Sequence, residues 1–326
     1  MRVAYFGSGL FGCATLRWLS ESEHEIATVV TQPARPAGRG RKKKPTPVAQ
    51  LAEQLGISYQ ESENVNISEF VQTIRDIQAE VLLIIAFGQK IGSKLLTLSN
   101  CRVINLHGSL LPKYRGAAPI NWAIINGDSE TGLTVIEINE QWDAGAVLGQ
   151  IKTKILPGET TDHLHNRLAL LGPELVGRVL DQMSKGQDQP LKQDDSLACR
   201  APKLRKTDAS IQWSQPAQKI CNLIHGMWPW PGAYCQVQQA NKSKSERLTI
   251  ARAEIAPSRP PAATVDESSI PPAAITPGTL TSEMTIECGA GQLRLLEVKP
   301  ENGRLMSFAD YANGRRLATG DQFLNG

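Results

Sequence analysis

The chain has 326 residues, a net charge of +3 and 41% hydrophobic residues, values that fit two compact domains and exclude a fibrous or largely disordered protein. Its longest apolar run, residues 81–87, is too short to cross a bilayer. We therefore predict no signal peptide and no membrane anchor, and a cytoplasmic location. The six cysteines form no C-x-x-C pair and no pattern with histidines, so neither a zinc site nor a disulfide framework is expected.

The first half of the chain alternates β-branched runs with amphipathic helical periods, a pattern typical of α/β proteins with a doubly wound, mostly parallel Rossmann-like sheet. In chain order it predicts a strand at 3–7, a helix near 10–21, a strand at 25–30, a helix at 46–55, strands at 81–87 and 102–107, a helix at 117–126, strands at 132–138 and 147–155, and a long helix from Thr160 or Thr161. In such sheets, functional loops follow the carboxyl ends of the strands.

The pattern breaks within residues 186–210, which are polar and contain two prolines. Beyond the break we predict one helix within 214–227, with Ser214 as its N-cap. Short strands separated by turns follow, an arrangement typical of a small OB-like β-barrel that suits an oligonucleotide. Residues 257–277, rich in Pro, Ala and Ser, predict an excursion between two strands. The predicted organisation is a catalytic domain at 1–188, a linker at 189–206 and a C-terminal domain at 207–326.

Glycines at the end of the first predicted strand form "GSGLFG", residues 7–12, a match to the G-x-G-x-x-G fingerprint of dinucleotide-binding proteins. The second strand ends in Thr31 and Gln32, where that fold places an acid for the ribose, and only Arg35 suits a 2′-phosphate. We interpret the glycines as a means of packing a helix close to the sheet. An NADP-dependent oxidoreductase is the distant alternative.

The stretch "VINLHGSLLPKYRGAAP", residues 103–119, places two polar residues at the end of a predicted strand. Asn105 and His107 are two positions apart, so their side chains project to the same face. A strand histidine is commonly a satisfied core residue and an asparagine beside a turn commonly caps backbone, but this pair runs into a Gly-Ser turn at a carboxyl strand end, which favours function. Asp143, in a Gly-Ala turn after another strand, is by itself a turn residue whose meaning depends on its neighbours.

The segment "NLHGSLLPKYRGAAPINWAIINGDSETGLT", followed by "DAG", resembles the folate-dependent formyltransferases. Two further segments, "VVTQPARPAGRGRKKKPTPVAQLAEQLGI" and "KLRKTDASIQWSQPAQKICNLIHGMWPWPGAY", are similar to the methionyl-tRNA formyltransferases within that family. Bacterial formyltransferases of amino sugars also resemble the chain at "NLHGSLLPKYRG" and "DAGA". The chain departs from the family at Phe87, Gly92 and Ala144, and these departures leave the formyl acceptor open.

The resemblance implies a catalytic trio of Asn105, His107 and Asp143. It implies 10-formyltetrahydrofolate as the formyl donor, without a metal, held between Ser109, Leu110, Leu111 and Pro112 on one side and Ile85, Ala86, Phe87 and Gly88 on the other. The implied acceptor is initiator methionyl-tRNA, whose phosphates would meet Arg39, Arg41, Lys42, Lys43, Lys44, Lys203, Arg205 and Lys206. An amino-sugar nucleotide as acceptor and a non-catalytic RNA-binding protein are the alternatives. We expect a monomer.

Overall fold

The structure is a computed structural model that describes residues 1–37, 42–257 and 276–326. The chain divides into two compact units. The first contains Met1–Pro119, Glu130–Lys154 and Leu164–Pro202, and the second contains Ile120–Ser129, Ile155–His163 and Lys203–Gly326. Nearly all of the excursion predicted at 257–277 lies outside the described residues. Among the helices of the described ranges, none has the length and apolar character that a membrane crossing requires.

The alternation of strands and helices agrees with the sequence prediction, but the strands at 35–37, 42–44 and 59–61 and the helices at 68–77 and 93–96 were not predicted. The first elements are β1 (Arg2–Gly7), a 3-10 turn (Leu10–Gly12), α1 (Cys13–Glu21), β2 (Glu25–Thr31), β3 (Arg35–Ala37), β4 (Lys42–Lys44), α2 (Pro47–Leu55), β5 (Tyr59–Glu61), α3 (Ser68–Ile77), β6 (Val81–Ile85) and α4 (Ser93–Leu96). They continue with β7 (Arg102–His107), β8 (Arg115–Gly116), α5 (Pro119–Ile125), β9 (Glu130–Glu137), β10 (Val147–Lys154), α6 (Thr161–Ser184), a 3-10 turn (Asp195–Leu197) and β11 (Arg200–Ala201).

Seven of these strands form one sheet in the order β10-β9-β7-β6-β1-β2-β5. The pairs from β5 to β7 are parallel, whereas β9 pairs antiparallel with both β7 and β10. The predicted Rossmann-like sheet is therefore confirmed. Every residue of β6 is buried, because a central parallel strand is covered on both faces and carries continuous apolar sequence. Since β1, β6 and β7 are parallel neighbours, their carboxyl ends meet at the same edge of the sheet.

The second unit carries an antiparallel sheet. Its elements are a 3-10 turn (Lys206–Ala209), α7 (Ala217–Met227), β12 (Ala233–Gln238), β13 (Glu246–Ile255), β14 (Ile286–Glu287), β15 (Gln292–Pro300), β16 (Met306–Ser307), α8 (Phe308–Arg315) and β17 (Gln322–Leu324). The sheet order is β14-β15-β13-β12-β17, with β16 paired to β15. Isolated bridges Thr279–Gln322 and Leu280–Ile286 link the β17 side to the β14 side. The sheet is nearly closed, which confirms the predicted small barrel.

Two helices of the second unit differ from the sequence prediction. The helix predicted with Ser214 as its N-cap begins at Ala217, and its N-cap is Pro216, which has a non-helical backbone with φ −57° and ψ 144°. Helix α8 was not predicted, and its start is capped by the Ser307 hydroxyl, which accepts a hydrogen bond from the Asp310 N–H at 3.0 Å.

The segment predicted as a linker packs along the first unit over much of its length. Leu191 and Val147 exchange backbone hydrogen bonds of 2.9 and 2.7 Å, and β11 pairs in parallel with β8. The first unit ends at Pro202. The polar, proline-containing composition therefore belongs to an irregular segment that satisfies its backbone groups partly against other strands of this unit.

Candidate active site

Asn105 and His107 lie at the carboxyl end of β7. Asn105 is paired with Ile136 of β9, and His107 with Thr134. The His107 side chain is only 6% exposed, whereas Asn105 is half-buried. Among the residues that the structure describes, none hydrogen-bonds to the Asn105 side chain. Its amide therefore retains the two donors and the acceptor that a bound substrate could use.

Asp143, in the loop between β9 and β10, comes close to His107. Its Oδ2 lies 3.8 Å from His107 Nδ1, and the same oxygen accepts a 2.8 Å hydrogen bond from the backbone N–H of Gly116. Asp143 has φ +51°, a left-handed conformation that costs a non-glycine residue about 1 kcal/mol or more. A Cβ on Gly145 would overlap the carbonyl oxygen of Glu137, so only glycine allows this loop to pass so close to β9.

The hydrogen bonds of His107 determine its tautomer. Nε2 lies 2.9 Å from the carbonyl oxygen of Tyr114, and a carbonyl can only accept, so Nε2 carries the hydrogen. In the neutral imidazole, Nδ1 is therefore the basic nitrogen, and it faces Asp143.

Two residues that the sequence analysis did not single out hold the turn after β7. The Thr134 hydroxyl donates to the Ser109 carbonyl oxygen at 2.7 Å and accepts from the Leu111 N–H at 3.0 Å. Gln150 Nε2 donates to the Leu111 carbonyl oxygen at 2.8 Å. Thr134 and Gln150 are on neighbouring strands β9 and β10, so the turn is fixed to the antiparallel side of the sheet.

The four residues predicted to form one wall of a ligand site differ in exposure. Ser109 and Leu111 are buried, and the Ser109 hydroxyl donates to the Lys113 carbonyl oxygen at 2.6 Å. Leu110 and Pro112 are half-buried. The apolar surface that this turn presents to a ligand therefore comes from Leu110 and Pro112, while Ser109 shapes the turn.

Two protein-family models match the chain: "Formyl transferase" over residues 1–180, and "Formyl transferase, C-terminal domain" over residues 203–316. The methionyl-tRNA formyltransferase of Citrifermentans bemidjiense is 38% identical over 98% of this chain and 95% of that protein. The methionyl-tRNA formyltransferase of Heliobacterium modesticaldum is 38% identical over 99% of this chain and 100% of that protein. The chain belongs to the methionyl-tRNA formyltransferase family.

Solved structures share the fold of this family member at low sequence identity. HypX from Aquifex aeolicus, in complex with tetrahydrofolic acid, has a TM-score of 0.61 at 15% identity, over 96% of this chain and 47% of that one. WlaRD, a sugar 3N-formyl transferase solved in the presence of dTDP and 5-N-formyl-THF, has a TM-score of 0.62 at 16% identity, over 90% of this chain and 96% of that one. At these identities the likeness concerns the fold alone.

In this formyltransferase, the segment predicted to face the Ser109–Pro112 turn presents less side-chain surface than expected. Ile85 and Phe87 are buried, and the Phe87 ring packs edge-on against Phe6 with a centroid distance of 5.4 Å. Ala86 and Gly88 are exposed and have positive φ angles of 47° and 82°. Any contact of Ile85 and Phe87 with a ligand would therefore be made through the backbone, beside the surface of Ala86 and Gly88.

The predicted basic loop is only partly described. Arg39 and Arg41 lie outside the described residues, as does the side chain of Lys42. Strand β4, which contains Lys42, Lys43 and Lys44, pairs antiparallel with β3, and Lys43 and Lys44 are exposed. These two lysines are therefore accessible to a polyanion.

The other predicted basic residues belong to the second unit. Lys203, Arg205 and Lys206 are exposed. Arg205 forms an ion pair with Asp208 at 3.0 Å, which raises the pKa of Arg205 and lowers that of Asp208. An ion pair made by so exposed a guanidinium contributes little stability.

The glycine-rich loop after β1 packs closely against the side chain of Tyr5. A Cβ on Gly12 would overlap the Tyr5 hydroxyl, which donates to the Gly12 carbonyl oxygen at 2.9 Å. Burial raises the pKa of Tyr5 well above its ordinary value, so the phenol keeps its proton and remains a donor. Beyond β2, Gln32 donates its backbone N–H to Ser8 Oγ and its side-chain amide to the Phe87 carbonyl oxygen. These contacts agree with the packing interpretation of the glycines.

Gln193 is a buried residue beside the site that the sequence analysis missed. Its amide nitrogen donates to the carbonyl oxygens of Asp143 at 2.9 Å and Gly145 at 2.8 Å, and its amide oxygen accepts from Arg115. A glutamine within the polar run "QPLKQDD" has no local signal of burial. Only the return of this segment onto the first unit reveals its position.

Proposed function

We propose that this chain transfers the formyl group of 10-formyltetrahydrofolate to the amino group of methionine on initiator methionyl-tRNA. The observation that carries the proposal is the approach of Asp143 to His107 at the end of β7, beside the Asn105 amide, in a chain 38% identical to a methionyl-tRNA formyltransferase over 98% of its length. The product, N-formylmethionyl-tRNA, would serve translation initiation.

The reaction requires a neutral amine to attack the formyl carbon and an oxyanion to be stabilised in the tetrahedral intermediate. The Asn105 amide can donate to that oxyanion, and a preorganised donor of this kind contributes on the order of 3 kcal/mol to transition-state stabilisation. No nucleophilic side chain is needed, because the amine of the acceptor is itself the nucleophile.

Protons must leave the attacking amine and reach the folate nitrogen as the new carbon–nitrogen bond forms and the old one breaks. His107 Nδ1 is the free nitrogen of the imidazole, because Nε2–H donates to the Tyr114 carbonyl oxygen. We assign the second imidazole proton to Nδ1. Nδ1 either takes this proton transiently from the amine or donates it in a hydrogen bond to the oxyanion. Asp143 stabilises the imidazolium and can accept the amine proton through a water molecule.

The donor would lie against the surface of Leu110 and Pro112. The Ala86 carbonyl oxygen accepts from the Ser8 and Gly9 N–H groups, and the Phe87 carbonyl oxygen accepts from Ser8 and Gln32. The Phe87 and Gly88 N–H groups and the Gly88 carbonyl oxygen would therefore serve a flat pterin ring. Ser109, Leu111, Ile85 and Phe87 would support this site from beneath. This arrangement retains the predicted folate site while assigning most of its contacts to backbone.

The acceptor is tested by offering 10-formyltetrahydrofolate with either charged initiator tRNA or an amino-sugar nucleotide. We expect formyl transfer to methionyl-tRNA and none to the sugar nucleotide; the reverse result would move the chain to the runner-up function. RNA binding without transfer to either acceptor would favour a non-catalytic protein.

The basic loop gives a second test of the acceptor. Arg39 lies between two glycines, which would let the backbone approach an acceptor stem, while Arg41, Lys42, Lys43 and Lys44 would meet phosphates. Arg39→Ala should cost roughly 1–3 kcal/mol in tRNA-dependent efficiency and weaken the preference for initiator over elongator tRNA. Neutralising the lysines should instead reduce the salt dependence. Full initiator selectivity of Arg39→Ala at several salt concentrations would contradict this role.

A further inference from the structure

Residues 191–201 contact both backbone segments that hold the Asp143–His107 pair. On one side, Leu191 bridges to Val147, which follows the Asp143 loop. On the other side, β11 pairs with β8, whose Gly116 N–H binds the Asp143 carboxylate. Gln193 lies between these two points of attachment and is only 6% exposed.

The hydrogen-bonding capacity of the Gln193 amide is fully used. Its oxygen accepts from Arg115 Nε at 3.0 Å and Nη2 at 2.7 Å. Its nitrogen donates to the carbonyl oxygens of Asp143 and Gly145 at 2.9 and 2.8 Å. Arg115 also pairs with Asp195 at 2.8 Å. One side chain therefore connects β8 with the loop that carries the carboxylate.

The chemistry of the partners fixes the orientation of this amide. A flipped amide would place its oxygen against two carbonyl oxygens and its NH₂ group against a guanidinium, and neither contact can form a hydrogen bond. The two donated bonds hold the backbone on both sides of Ala144, within a loop where Asp143 has φ +51°. Without these two hydrogen bonds the loop could relax more freely, because a left-handed backbone conformation at a non-glycine residue persists only where surrounding contacts hold it.

We propose that Gln193 is a positioning residue that holds the Asp143 carboxylate at His107 by hydrogen-bonding the backbone of the Asp143 loop. The expected loss of kcat rests on the proposed function. The expected change in the distance between Asp143 and His107 does not. Gln193 acts through Asp143 and is assigned no contact with substrate.

The deciding substitution is Gln193→Glu, which keeps the shape of the side chain and its acceptor toward Arg115. It replaces the NH₂ donor with an oxygen that faces the carbonyl oxygens of Asp143 and Gly145. We expect kcat for formyl transfer to fall about 10- to 100-fold, with both KM values within about threefold of wild type, because misplacing a catalytic group by about 1 Å has effects of this size. Gln189→Glu adds the same charge at an exposed position of the same segment and should leave kcat unchanged.

A double-mutant cycle distinguishes misplacement of Asp143 from a general loss of structure in the Gln193 variant. If Gln193 acts only through Asp143, then adding Gln193→Glu to Asp143→Asn should lower kcat by less than about threefold further. A further loss of kcat in the double variant, as large as the about 10- to 100-fold loss expected for Gln193→Glu alone, would overturn the proposal. If Gln193→Glu does not fold, Gln193→Met, which has similar length and no hydrogen-bonding amide, serves for the same cycle.

Crystal structures of wild type and the Gln193 variant test the geometry independently of the acceptor. We expect the Asp143 Oδ2–His107 Nδ1 distance to increase in the variant, and an unchanged distance would overturn the proposal. If the wild type does not formylate methionyl-tRNA, the proposed function fails while this comparison still decides the role of Gln193.

Discussion

The carboxyl ends of β1 and β7 meet at the same edge of one sheet, but their polar groups are used differently. At the end of β1, the Tyr5 hydroxyl donates to the Gly12 carbonyl oxygen and the Ser8 hydroxyl accepts from Gln32, so these polar groups are satisfied within the protein. At the end of β7, the amide of Asn105 has no partner among the described residues, and His107 Nδ1 lies 3.8 Å from Asp143 Oδ2.

The proposed site therefore differs from the end of β1 in that its Asn105 amide remains available to a ligand. The sequence "GSGLFG" matches a dinucleotide fingerprint, but an added Cβ at Gly7 or Gly12 would overlap Tyr5, so these two glycines allow close packing within the protein. The Asn-x-His pair is a less specific sequence pattern. In the folded protein, however, Asp143 of a loop distant in the sequence lies close to His107 and adds a third polar side chain.

Asp143→Asn should lower kcat by about three to four orders of magnitude, because an amide can neither accept the amine proton nor stabilise an imidazolium. Folate affinity and the unfolding temperature should change little. The matched control is Asp181→Asn, which removes the carboxylate of another Asp–His pair, with His24 at 3.4 Å, at an exposed position of α6. Stopped-flow measurement of formyl transfer gives kcat for both variants. Near-wild-type turnover by a folded Asp143→Asn enzyme would remove Asp143 from the mechanism.

Asn105→Ala should lower kcat about 100- to 1000-fold, the usual cost of removing one oxyanion donor. Its stability should be nearly unchanged, since no described residue hydrogen-bonds to the side chain. Asn241→Ala, at an exposed position of the second unit, is the control and should retain full kcat. A large loss of stability with little loss of kcat would show that Asn105 is a structural residue.

Gly12→Ala should destabilise the protein by about 2 kcal/mol or more, because the added methyl group overlaps the buried Tyr5 hydroxyl and crowds Ile85. The kcat of the folded fraction should remain close to wild type. Gly314→Ala in α8 is the control: nothing lies within 4 Å of its added methyl group, so it should stabilise by about 0.5–1 kcal/mol. Urea unfolding measures both. Equal stability of Gly12→Ala and wild type would contradict the packing role.

Local periodicity in the sequence predicted the sheet, the barrel and most helices, because β-branched runs and capping residues act over short distances. Thr46, for example, caps α2 within a predicted helix by accepting from the Ala49 N–H. The start of α7 was predicted too early because residue 216 forms a β-bridge with Ala290, a contact between segments that are distant in the sequence. The burial of Phe87 also escaped prediction, since the run at 81–87 does not reveal which way its last residue points.

The candidate site was less accessible to sequence reasoning. Asn105 and His107 are neighbours on one strand, so their shared face follows from strand geometry. Asp143 was joined to them only through the family resemblance, because local sequence does not encode contacts between distant loops. Gln193 and Thr134 carried no signal at all, since their importance arises from chain segments that meet only in the folded protein.

The central claim is that the end of β7, and not the glycine-rich loop after β1, receives the formyl donor. Its most direct test is a crystal structure of the protein with 5-formyltetrahydrofolate, a stable relative of the donor. We predict that the pterin ring lies between the Ala86–Gly88 backbone and the surface of Leu110 and Pro112, with the transferable end of the folate near Asn105 and His107. Folate bound at residues 7–12, or a ligand remote from Asn105, would contradict the account.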